Sequence, residues 1–136
     1  MLRALFLTFA LFFSTSAFAA KPEVKAALAA TQAWRALVDG GRYSASWEAM
    51  GTPAKATVTV EEWQTSMNGV RKPLGEVKSR KVKKSVFTTT LPGAPDGKYV
   101  TIQYKTSFSN KKGAVETAAT MLDTDGQWHV VGYFIK

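Results

Sequence analysis

The sequence predicts an α+β domain in which N-terminal helices pack on a curved four-stranded antiparallel meander. Two observations predict it. Apolar residues recur at three- and four-residue steps between residues 22 and 70, whereas from Pro73-Leu74-Gly75 onward the period becomes two, cut by turn residues into four strands. A third observation concerns stability: the chain has no cysteine, so no disulfide can staple it and a packed core must hold it together.

Ahead of the helices, Met1-Leu2-Arg3 carries one positive charge, and residues 4–13 then run without charge, Thr8 being the only polar one. Ser14-Thr15-Ser16 ends that run after ten residues, about half of what a membrane-spanning helix requires. The layout predicts a signal peptide over residues 1–19, with small Ala17 and Ala19 before a cut ahead of Ala20. Residues 20–136 read as a single α+β domain of about 117 residues, periplasmic or secreted, with no integral membrane anchor.

The first helix begins at Pro22 and buries Val24, Ala27, Leu28, Thr31, Trp34, Leu37 and Val38 before Asp39-Gly40-Gly41 stops it. Tyr43, Trp47 and Met50 share a face of a second, short helix that Gly51-Thr52-Pro53 terminates. Thr59-Val60-Glu61-Glu62 has capping-box spacing and opens a third helix, with Trp63, Met67 and Val70 as its buried stripe. Strand one covers residues 76–91, long enough to favour a bulge or bend within it, and residues 92–97 form its exit loop. Strand two, residues 99–108, alternates Val100, Ile102, Tyr104 and Phe108 with Thr101, Gln103, Lys105 and Ser107. Asn110-Lys111-Lys112-Gly113 turns the chain into strand three, residues 114–122, and Asp123-Thr124-Asp125-Gly126 turns it into strand four, residues 127–135.

The formal charge is +8, and without Arg3 seventeen Lys and Arg face ten Asp and Glu. Such a surface favours anionic partners or simply solubility. Export argues against nucleic acid and leaves an anionic envelope component: acidic glycans, lipid headgroups or acidic proteins. Strand one concentrates Lys78, Arg80, Lys81, Lys83 and Lys84, which reads either as an edge guarded against strand pairing or as a binding patch.

Helices followed by a meander resemble the cone of the nuclear transport factor and ketosteroid isomerase class, or the related cystatin-like wrap. The run from Ala33-Trp34-Arg35-Ala36 through Asp39-Gly40-Gly41-Arg42-Tyr43 to Ser46-Trp47 is similar to the start of a bacterial family catalogued as domain of unknown function 4019. Arg71-Lys72-Pro73-Leu74-Gly75, Ser79-Arg80, the 91–99 stretch and Asp125-Gly126-Gln127-Trp128-His129 resemble its later blocks. The resemblance implies an export signal and a compact domain, and transfers no catalytic residue.

Catalytic machinery is sparse. His129 is the single histidine, with no carboxylate apparent to orient it, and it reads as structural, on the face of Val131 and Tyr133 opposite Trp128 and Val130. One histidine without cysteine makes no ordinary zinc site, Asp123-Thr124-Asp125-Gly126 lacks the ligands of a calcium loop, and no phosphate or dinucleotide loop appears, so neither metal nor cofactor is expected. The candidate ligand-binding residues are Arg71, Arg80, Tyr43, Tyr104, Glu116, Trp34 and Trp47. Glu116 sits among Ala114, Ala118, Thr120 and Leu122, where an unpaired carboxylate is costly to bury. Arg71 or Arg80 would pair with it internally, or Arg80 would bind a ligand with Glu116 as its orienter. Trp34 and Trp47 read as core or as pocket walls, with Tyr43 and Tyr104 as polar handles. The function read from these residues is a non-enzymatic binding domain for a small ligand or an anionic envelope partner. The alternatives are a cone-fold enzyme using Asp39 or Glu116 with a tyrosine, and an assembly protein pairing through the edge of strand one.

Overall fold

The computed structural model describes residues 21–136, so the expected signal segment lies outside the described residues. Four helices precede the sheet: α1 (Pro22–Asp39), α2 (Tyr43–Glu48), α3 (Thr52–Thr57) and α4 (Val60–Val70). A 3₁₀ turn (Lys72–Leu74) leads into β1 (Val77–Thr88), β2 (Tyr99–Phe108), β3 (Lys111–Leu122) and β4 (Trp128–Ile135). The strands form one antiparallel sheet in the order β1-β2-β3-β4, an α+β arrangement with helices on one side of a meander.

Helix α1 starts with Pro22 in its first turn, where a missing N–H costs nothing, and buries Val24, Ala27, Thr31, Trp34 and Val38. Its end depends on Gly41, whose φ of 72° lets the Arg42 N–H fold back onto the Leu37 carbonyl at 2.9 Å. Helix α4 carries the capping box, with Glu62 N–H on Thr59 Oγ1 and the Thr59 N–H on Glu62 Oε2, each at 3.2 Å.

Helix α1 touches all four strands. Val24 and Ala27 pack with Val100, Ile102 and Tyr104, and Trp34 and Val38 pack with Tyr43, Met50, Trp63 and Met67. Ser46, fully buried, organises that second cluster: its carbonyl accepts the Trp34 indole N–H and its hydroxyl accepts that of Trp63, both at 2.9 Å. Both Trp rings are thereby satisfied inside an apolar layer.

Several sequence expectations need correction. Gly51-Thr52-Pro53 does not merely end α2 but opens α3, because proline fits a helix's first turn. Its cap is distant: Asp123 Oδ2 accepts the Thr52 N–H at 2.8 Å and the Thr52 hydroxyl at 3.0 Å. Val70 is 51% exposed, because α4 packs mainly on α2 and the 3₁₀ turn and leaves its last turn off the core. Strand β1 stops at Thr88 and β3 starts at Lys111, so Ser109 and Asn110, not residues 110–113, make the hairpin turn. The expected irregularity in β1 is present, with register shifts between Val77 and Ser79 and between Val82 and Lys84.

The irregularity that matters most is in β4. Thr120 pairs with Val130 but Ala119 pairs with Gly132, so Val131 is an extra residue. A one-residue slip exchanges the faces of everything beyond it. Val130 and Tyr133 therefore both face the helices, against the expected grouping of Tyr133 opposite Val130, and Phe134 is turned out, 55% exposed.

Candidate functional site

Three of the seven candidate residues meet in one buried network. Arg80 lies on the helix-facing side of β1, opposite Thr106, and Glu116 lies on the same side of β3, opposite Tyr104. Arg80 grips Glu116 with both ends of its fork, Nε to Oε1 at 2.7 Å and Nη2 to Oε2 at 3.0 Å. Its outer edge grips Asp39 at the end of α1, Nη1 to Oδ2 at 2.7 Å and Nη2 to Oδ1 at 3.0 Å. Arg71, buried beneath the 3₁₀ turn, donates to Asp39 Oδ1 at 3.2 Å and to the Gly75 carbonyl at 2.7 Å. Thr106 and Tyr133 donate their hydroxyls to the two Glu116 oxygens.

Glu116 is 0% exposed, and burial alone would raise its pKa; the hydrogen bonds from Arg80, Thr106 and Tyr133 outweigh it and hold the carboxyl below its ordinary value. Asp39 follows the same logic, with burial opposed by Arg80 and Arg71 and the net shift downward. Burial, then the Glu116 charge, push the Tyr133 hydroxyl far above its ordinary value, so it remains a donor. Two arginines face two carboxylates, and both Glu116 oxygens are saturated. Such a carboxylate binds the fold together; it has no lone pair directed at a substrate proton.

The other four candidates are dispersed. Trp34 and Tyr43 are core residues, and Trp47 donates its indole N–H to the Val58 carbonyl at 2.8 Å. Tyr43 also borders a polar groove of about 510 Å³ between the α1–α2 turn and α4. The Tyr104 hydroxyl is buried without a hydrogen-bond partner among the described residues, and its ring carries the Arg35 guanidinium 4.0 Å from the centroid. Burial raises the Tyr104 pKa, and the Arg35 charge opposes that.

His129 corrects another expectation, since a carboxylate four residues earlier does meet it: Nε2 lies 2.7 Å from Asp125 Oδ2 and Nδ1 lies 3.2 Å from the Ala49 carbonyl. Two acceptors clamp the ring between a hairpin and the end of α2, a bracing role. Among the described residues no group of three His, Asp or Glu is placed to hold a metal, and no helix is long and apolar enough to cross a membrane.

A concavity larger than the groove beside Tyr43 carried no signal in the sequence. An open cleft of about 700 Å³ follows β4, walled by Trp63, Met67 and Val70 of α4 on one side and by Leu91 and Met121 on the other. It exists because α4 leans on α2 rather than on the sheet. Its floor is the free side of β4. Val115 and Lys136 exchange two hydrogen bonds of 2.9 Å, so by antiparallel alternation Phe134 bonds to β3 while the N–H and C=O groups of Tyr133 and Ile135 point away from it. Those groups have no backbone partner among the described residues.

Residues 30–133 match the family model described as Protein of unknown function (DUF4019), and the chain belongs to that family. No match to the chain was found among curated proteins or among solved structures.

Proposed function

We propose that this family member is an exported, non-enzymatic binding domain that receives an extended apolar polypeptide segment as a fifth strand on β4. Export rests on the signal-peptide pattern of residues 1–19. The observation that carries the binding reading is the coincidence of the outward-pointing backbone groups of Tyr133 and Ile135 with an apolar cleft of about 700 Å³. Strand addition needs both features: main-chain groups supply affinity, and flanking pockets accept alternate side chains. Met50, Met67 and Met121 along the cleft are adaptable walls suited to varied side chains. A simple acyl chain would fill the apolar walls but leave the Tyr133 and Ile135 amides without partners. Against an enzyme stands the commitment of Asp39 and Glu116 to arginines.

Native mass spectrometry of the protein purified from the exporting host, followed by residue-resolved hydrogen exchange, tests this. A retained peptide mass together with slowed exchange at the Tyr133 and Ile135 amides is the expected result. A retained lipid mass, or a bound peptide that leaves those amides exchanging as before, would overturn it.

A further inference from the structure

The face of the sheet turned away from the helices is cationic. The four strands hold eight Lys and Arg and a single acid, Glu116, which faces the helices. Arg80 also faces inward, whereas Lys81 and Lys84 lie on the open face by their pairing with Lys105 and Gln103. Across the sheet one row reads Lys81, Lys105, Val115, Lys136, and the next reads Lys84, Gln103, Thr117, Phe134. None of these four lysines has a carboxylate within ion-pair distance among the described residues.

Edge protection explains lysines on β1 but not Lys105, which lies on β2 with strands on both sides. Like charges directly opposite each other, as at Lys81 and Lys105, destabilise a sheet, so an external anion has something to relieve. Beside that pair, the paired Ser79 and Ser107 and the side-chain-free Gly113 border a shallow groove of about 230 Å³, large enough for a phosphate group. Exposed Phe134 and Val86 share this face. Apolar side chains interspersed with lysines suit a lipid headgroup region, where aromatic rings are favoured, better than a soluble polyanion.

We infer that the open face of the sheet docks on an anionic phospholipid bilayer, with Lys81 and Lys105 flanking a headgroup phosphate and Phe134 entering the interface. Phe134 also lines the β4 cleft, whereas Lys81, Lys84 and Lys105 do not, so the lysine substitutions test this docking apart from strand addition. The test is co-sedimentation of the purified protein with phosphatidylcholine vesicles with and without phosphatidylglycerol. Binding is expected only with the anionic lipid and should weaken as salt rises. Each lysine near the surface is worth about a fivefold change in partitioning, so Lys81→Gln/Lys84→Gln/Lys105→Gln should lose about 100-fold. Removing the like-charge pair leaves folding intact or improved, which thermal unfolding verifies. Phe134→Ser should weaken vesicle binding severalfold without changing its salt dependence. Equal binding to neutral vesicles, an unaffected triple variant, or heparin binding as tight as vesicle binding with no effect of Phe134→Ser would overturn the assignment.

Discussion

Glu116→Gln is the most informative single substitution, because it keeps the side chain's shape and removes its charge. The carboxylate accepts four hydrogen bonds, two from Arg80 and one each from Thr106 and Tyr133. A glutamine must turn its NH₂ toward one of the two donor pairs, so at least one donor-to-donor conflict arises at a side chain that is itself fully buried. Breaking a buried ion pair by neutralising one partner costs about 3–5 kcal/mol, and Asp39 still faces Arg80, so the lower end, about 3 kcal/mol, is expected at neutral pH. Urea-induced equilibrium unfolding measures it. The pH dependence has a definite sign. The folded-state pKa of Glu116 is depressed, so its contribution is full above the unfolded value of about 4.3 and is lost as pH falls through the folded value. The gap between wild type and Glu116→Gln should therefore start to narrow as pH falls below about 4.3 and go on narrowing down to the folded-state value. A loss under 1 kcal/mol at pH 7, or a gap that persists undiminished in acid, would refute the view that the network braces the fold.

Tyr133→Phe removes one donor from Glu116 but keeps the ring edge-on to Trp34 at 5.1 Å, so a loss of about 1–2 kcal/mol in the same assay is expected. Gly75→Ala should cost more, about 2–3 kcal/mol by thermal or chemical unfolding, because Gly75 has φ 79° and an added Cβ would lie 2.0 Å from Ser109 Oγ.

How much of this was legible in the sequence depends on how local the cause is. Helices α1 and α4 could be read because a proline start, a glycine stop and a capping box lie within the segments themselves. Helix α3 could not, since its cap, Asp123, comes from 71 residues away and Gly-Thr-Pro alone resembles a stop. Glu116 announced itself as a charge among small residues on an inward face, and Arg80 stood out in the lysine run. Their connection to Asp39, 41 residues before Arg80, carried no sequence signal. Nor did the bulge at Val131: His-Val-Val-Gly-Tyr-Phe-Ile is apolar on both faces, so alternation cannot reveal the slip that sends Tyr133 inward and Phe134 outward. The cleft follows from the angle of α4, a property of packing rather than of any motif.

The two edges of this sheet have opposite chemistry, and that contrast limits what can be built on them. Strand β1 presents Lys78, Lys83 and Lys84 beside its register shifts, and charge with bulges is how an edge refuses another strand. Strand β4 ends in Tyr-Phe-Ile beside an apolar cleft and lacks such a guard until Lys136. An added strand can therefore be accepted at one end only. If the segment came from a second copy, β4 against β4 would close on itself as a two-fold dimer, because β1 offers no complementary edge for head-to-tail growth. If it came from another polypeptide, the sheet would gain one strand and stop. In both cases the lysines of β1 would confine the proposed strand addition to the β4 edge and stop open-ended growth.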